Sequence, residues 1–308
     1  MPLRVAIPDM VSPSYFPAIA AVELGFFEKE GLDATVELIF PVTKTYEELR
    51  EGRIAFVGGA AHAALYAFPD WRGCKLLCAL SQHMYWFLVV RKDLGAKRGD
   101  LRALKGLRVG AAPGPVDGLK RMLAESGIDP EREVRIGPVP GSSGVGVSFG
   151  MAAARALEDG VVDAFWANGM AAEVALRRGA GTLVIDARRG DGPPGSQGYT
   201  FAALAAAQER IDRDPETAVA AARAVAAAQR ALKAEPSLAT RAAKRHFPEP
   251  ELELIAELVR RDATYYDSLI SKESVREMNG FARAMGLLRG DARYQDVVAA
   301  DSGKKPFT

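Results

Sequence analysis

Through roughly the first two-thirds of the chain, compact apolar runs alternate with stretches whose apolar positions recur every three to four residues. Leu3–Ile7 (LRVAI) reads as a buried strand, and residues 8–14 (PDMVSPS) as a polar loop. From Tyr15 onward Phe16, Ile19, Ala20, Val22 and Leu24 repeat at helical spacing, and Gly25 ends the helix with Phe26 and Phe27 packed just past it. Further strands are expected over 34–40, 53–59, 75–82 and 84–93. A loop over 41–45, a short helix stopping at Gly52 and a helix over 61–68 fall between them.

The pattern then restarts. LRVGAAPGPVDGLKRMLAESGI (107–128) repeats the strand, loop, helix and glycine stop of the opening segment, down to the Leu-Arg-Val. ALEDGVVDAFWAN (156–168) matches EELREGRIAFVGG, with Gly160 at the place of Gly52 and Val162 at that of Ile54. Two matched pairs in the same order indicate a pseudo-duplicated α/β protein of two Rossmann-like lobes. Residues 181–190 form a closing strand, and a Gly/Pro-rich stretch leads into a return strand near 199–206. From 213 to 288 the chain reads as nearly all helix, expected to pack on lobe one, with a loosely ordered tail, DSGKKPFT. Lobe one is therefore expected over 1–90 with 199–308, and lobe two over 91–198, with crossings near Val89–Arg91 and Tyr199–Phe201.

Composition narrows the field. With 308 residues, 48% hydrophobic and a net charge of +1, the chain buries a sizeable core and offers no electrostatic case for nucleic acid. Its two cysteines, Cys74 and Cys78, share one face of an expected strand, which favours core packing over a metal pair or disulfide. No apolar stretch reaches the roughly 18 residues needed to cross a bilayer. Met1 leads almost directly into the first strand without a signal-peptide pattern, so the start leaves two readings. The chain is cytoplasmic if Met1 is the native start, or periplasmic if a signal peptide was removed.

Open α/β sheets bind ligands at the loops beyond the carboxyl ends of their strands. Here those loops supply Asp9, Ser12, Tyr15, Phe16, Lys44, Gly59, Ala60, His62, His83, Tyr85, Trp86, Gly114, Ser143, Trp166 and Asn168 as candidate ligand-binding residues. The set is aromatic and poor in charge, with Lys44 its single basic side chain, which suits a small, partly planar organic molecule. The three histidines, His62, His83 and His246, lack metal-ligand spacing, and no metal or cofactor is expected. GVSFG (146–150) matches G-x-S-x-G, but a loop rather than a buried strand precedes Ser148, and its partners would have to be Asp163 and His246. GAAPGPVDG lacks the Walker lysine, and Pro115 removes a donor where an anion would sit.

AAVELGFFEKEGLD, LREGRIAFVGG, LKGLRVG and LEDGVVDAFWA together resemble segments of the ABC-transporter solute-binding proteins of the nitrate/sulfonate/taurine, NMT1/THI5-like group. The resemblance implies a type II periplasmic-binding-protein fold, a small ligand held between two lobes that close about a hinge, and an ABC permease as partner. Asp163 keeps the group's acidic V-D-A position, whereas Ala55 replaces a frequent aspartate and Ala111-Ala112-Pro113-Gly114-Pro115 replaces its serine or threonine. Those departures point away from sulfonates and nitrate, and the aromatic loop set points toward an aromatic or heterocyclic ligand. The CCCFC run of pyrimidine-synthase relatives is absent. The alternative is a cytoplasmic enzyme on the same fold, a decarboxylase or lyase of an aromatic acid using His62, His83 and Lys44.

Overall fold

The computed structural model describes residues 2–142 and 147–299; Ser143 and the tail from 300 onward lie outside them. The chain divides into two compact units, 1–82 with 200–308, and 83–199. In chain order, the first unit opens with β1 (Leu3–Ile7), α1 (Phe16–Glu23), α2 (Phe26–Lys29), β2 (Ala34–Leu38), α3 (Val42–Arg50), β3 (Phe56–Ala60), α4 (Ala64–Ala67) and β4 (Cys74–Ser81). The second unit contains β5 (Phe87–Arg91), β6 (Arg108–Ala111), α5 (Val116–Glu125), β7 (Arg135–Gly137), α6 (Phe149–Glu158), β8 (Ala164–Ala167), α7 (Gly169–Arg177) and β9 (Gly181–Asp186). The first unit is then completed by β10 (Ala202–Ala207), α8 (Gln208–Arg213), α9 (Pro215–Ala234), α10 (Leu238–Ala243), α11 (Glu249–Asp262), α12 (Lys272–Ala284) and α13 (Tyr294–Val297).

Each unit holds one five-stranded mixed sheet, ordered β2-β1-β3-β10-β4 in the first and β7-β6-β8-β5-β9 in the second. The orders correspond strand for strand. In both, three parallel strands are followed by one antiparallel strand, β10 or β5, and a last strand antiparallel to that one. The antiparallel strand is in each case the first one the chain forms after crossing from the other unit. The duplication legible in the sequence is thus a duplication of topology. Gly25 and Gly127, the paired helix stops, both take positive φ (76° and 72°), a left-handed conformation that costs other L-residues roughly 1–2 kcal/mol. Gly52 and Gly160 match in the same way, at 71° and 69°.

Packing follows from the apolar faces. Phe27 sits edge-on to Phe56 at 6.3 Å, tying the segment after Gly25 to the sheet. The alanine-rich α9 lies against α1, α2 and β4, and its buried Ala218, Ala221, Ala222 and Ala228 let backbones approach closely. Its Gln229 caps β4 by donating to the carbonyls of Ala79 and Leu80 at 3.0 and 2.9 Å. Cys74 and Cys78 are buried free thiols on β4, each pushed up to about 12 by burial.

Three local expectations change. Residues 42–45 are helix, because Pro41 starts α3 and the Thr45 hydroxyl bonds back to the carbonyls of Ile39 and Pro41 at 2.6 and 3.2 Å. The segment 61–68 is a tight 3₁₀ turn, Ala61–Ala63, running into the single turn of α4. The first crossing falls at Gln82–His83, since Val89–Arg91 lies inside β5, paired to β8 and β9.

Candidate functional site

In the first unit the carboxyl ends of β1, β2, β3 and β4 point to one edge, where β10 begins. The loop after β1 carries Asp9, Ser12 and Ser14, all buried, and leads into Tyr15 and Phe16, also buried, with Phe16 edge-on to Phe247 at 5.7 Å. The turn after β3 carries His62, fully buried, its Nδ1 2.9 Å from the hydroxyl of Thr200 and its ring 5.4 Å from Phe281. Gly59 and Ala60 serve packing beneath this edge. A Cβ on Gly59 would come within 2.9 Å of Val42 Cγ2, and the Ala60 carbonyl accepts from the Tyr46 hydroxyl at 3.2 Å. Lys44, expected in a loop, is instead on α3, half exposed, and pairs with Glu47 and Glu48 at 3.4 and 3.3 Å. Bonding to Arg53 first, then to Lys44, brings the Glu48 carboxyl down to about 2.

In the second unit the carboxyl ends of β6, β8 and β9 and the start of β5 share an edge. It holds an aromatic cluster: Tyr85 and Trp86 lie 4.7 Å apart, Trp86 and Trp166 6.2 Å apart, all three buried. Trp166 Nε1 donates to the Pro115 carbonyl at 2.9 Å, fixing the ring against the glycine-rich loop, where Gly114 takes φ 88°. Asn168 caps α7 by accepting from the Met170 and Ala171 amides at 2.9 and 3.0 Å. Its side chain also packs on Gly150, where a Cβ would sit 2.5 Å from Nδ2. His83 is exposed, at φ 63°.

Sequence reasoning missed Arg188, Ser81 and Thr200. Arg188 follows β9 with its side chain 1% exposed, the guanidinium 4.7 Å over Phe87 and Nε 3.4 Å from Asp186. Neighbouring Arg189 is 57% exposed at its side chain, so the Arg-Arg pair hides one buried and one solvated cation. Only the apolar run ahead of the pair hinted at this.

Other motifs resolve into structural roles. Ser148 is the N-cap of α6, accepting from the Met151 amide at 3.3 Å. Asp163 accepts from the Arg108 amide at 2.9 Å and from its guanidinium at 2.9 and 2.7 Å, and that partner holds the carboxyl down at about 2. His246, in the first unit, bonds Glu23 at 2.8 Å. Ser148, Asp163 and His246 are thus each committed elsewhere, and G-x-S-x-G here is a helix cap. Among the described residues no group of three or more His, Cys, Asp or Glu could hold a metal ion, and no helix is long and apolar enough to cross a membrane.

Two duplicated mixed sheets, with loops gathered at the carboxyl edge of each, define the two-lobe α/β class of type II periplasmic-binding-protein folds. Within that class the chain belongs to the NMT1/THI5-like family, whose model matches residues 12–239. No curated protein matches it by sequence. Among solved structures it resembles a protein from Bordetella bronchiseptica RB50 at 20% identity, TM-score 0.74, over 96% of this chain and 92% of that one. It also resembles the alkanesulfonate-binding protein SsuA from Xanthomonas axonopodis pv. citri bound to MOPS (14% identity, TM-score 0.72, 96% of this chain and 97% of that one). A third is the periplasmic nitrate-binding protein NrtA from Synechocystis PCC 6803 (13% identity, TM-score 0.69, 94% of this chain and 83% of that one).

Proposed function

We propose that the chain is the solute-binding component of an ABC importer, working in the periplasm with a permease as partner, and that its ligand is a small aromatic or heterocyclic molecule. Family membership and the binding-protein neighbours support the importer role. The observation that carries the ligand class is the Tyr85, Trp86 and Trp166 cluster at the carboxyl edge of the second unit. The glycine-rich loop adds to the case, because Ala111 to Pro115 offers no hydroxyl to an inorganic anion. Titration calorimetry with benzoate, thymine, benzylamine, nitrate and methanesulfonate tests the reading. At least one of the three ring compounds is expected to bind, and tight binding of nitrate or methanesulfonate with none of the rings would overturn it.

A further inference from the structure

We propose that Ser12 and Ser81 are the contacts through which the first unit recognises an uncharged, amide-like group of the ligand, a C=O or N–H on or beside a ring. The proposal rests on the ligand-binding reading above and adds the chemical nature of the group recognised.

Both serines are fully buried, and neither hydroxyl oxygen has a hydrogen-bond partner among the described residues. A buried hydroxyl left unpaired destabilises the folded chain, and native structures hold few of them. Here two occur on one edge of one sheet. Ser12 lies in the loop after β1, and Ser81 is the last residue of β4.

Consecutive tyrosines hold the chain beside each serine. The Tyr266 hydroxyl donates to the carbonyl of Pro13, next to Ser12, at 2.7 Å. The Tyr265 carbonyl accepts from the amide of Gln82, next to Ser81, at 2.8 Å. Backbone groups around Ser81 are satisfied, because Gln229 takes the carbonyls of Ala79 and Leu80 and the Gln82 side chain donates to Asp267 and Leu269. The hydroxyls are what the surrounding structure leaves over.

Their chemistry sets the class of partner. A hydroxyl both donates and accepts, so each of these suits a neutral group that presents a carbonyl oxygen or an N–H. A negative group is disfavoured here. Asp9 is buried in the same turn, its carbonyl accepting from the Ser12 amide at 3.2 Å, and the first unit has no buried Lys or Arg among its described residues. Lys44, the cation sequence reasoning favoured, is paired on α3.

The test uses the full chain and the variants Ser12→Ala, Ser81→Ala and the double variant. Without ligand, the variants are expected to melt at or above the wild-type temperature, since alanine removes an unpaired polar atom. A drop in melting temperature for both single variants would mean that the hydroxyls are held by internal water or by the fold, and would overturn the proposal. Calorimetry then compares benzamide and thymine with benzoate, which shares the ring of benzamide but is charged. Wild type is expected to prefer the neutral compounds, and each serine removed is expected to weaken them about five- to tenfold. Unchanged affinity in the double variant, or a wild type that takes benzoate and neither neutral ring, overturns this inference while leaving the aromatic-ligand reading intact. A wild type that binds only nitrate or methanesulfonate overturns both.

Discussion

Asp163 shows most directly how one side chain holds its neighbourhood. It meets Arg108 through three hydrogen bonds and Arg91 through a fourth at 3.3 Å, at the point where β8 begins beside β6. Since Arg108 is 44% exposed, solvent screens part of the attraction, and Asp163→Asn is expected to cost about 1–3 kcal/mol. The sign with pH follows from the direction of the shift. The folded carboxyl sits at about 2, below its unfolded value near ~3.9, so the stabilisation is complete above the higher value and fades as pH falls toward the lower one. Urea midpoints of wild type and Asp163→Asn are therefore expected to differ at pH 7 and to converge toward pH 2. A second residue-scale outcome concerns Asn168, which caps α7. Asn168→Ala is expected to lower stability by about 1 kcal/mol, read as a lower thermal midpoint.

Among elements, the segment from α1 through α2 carries the family's sequence signature while its conformation serves the fold. Gly25 supplies the left-handed turn, and Phe27 packs on Phe56. Gly25→Ala is expected to destabilise by roughly 1–2 kcal/mol and to leave ligand affinity unchanged, measured by calorimetry beside a melting curve. Gly181 makes the same point for β9, since a Cβ there would fall 2.3 Å from Val89 Cγ1 and 3.1 Å from Leu157 Cδ2. Gly181→Ala is expected to cost about 1–3 kcal/mol. What the sequence made legible was local and periodic: β1, the paired glycine stops, and the strand leading to Trp166 and Asn168. What it concealed depended on contacts made at a distance. The start of α3 was obscured by Val42, Thr43 and Thr45, β-branched residues that weaken the helical signal, so the segment reads as a loop until Thr45 is seen bonding back to Ile39. Arg188 and Arg189 cannot be told apart without knowing that Phe87 lies beneath the first. Ser12 was legible by its place in the loop after β1, whereas Ser81 emerged only when its hydroxyl proved to have no partner.

For the whole molecule, the organising fact is that each sheet has its antiparallel strand fourth in order and takes that strand from the chain just after a crossing. The two units are nevertheless unequal. All five strands of the second sheet lie within residues 83–199, so this fragment is expected to unfold cooperatively on its own by circular dichroism. Residues 1–82 alone lack β10 between β3 and β4, and are expected to show no cooperative transition. The same strand order sets a schedule for biosynthesis. Chain emerging from the amino terminus presents four strands of the first sheet, including β4 with its fully buried Leu76 and Leu80, while the strand that joins β3 to β4 is still about 120 residues downstream on the message. The unit begun second is the one finished first, and throughout that interval the earlier strands present an open edge that only the nascent chain's own delayed return, or a holding factor, keeps from pairing elsewhere.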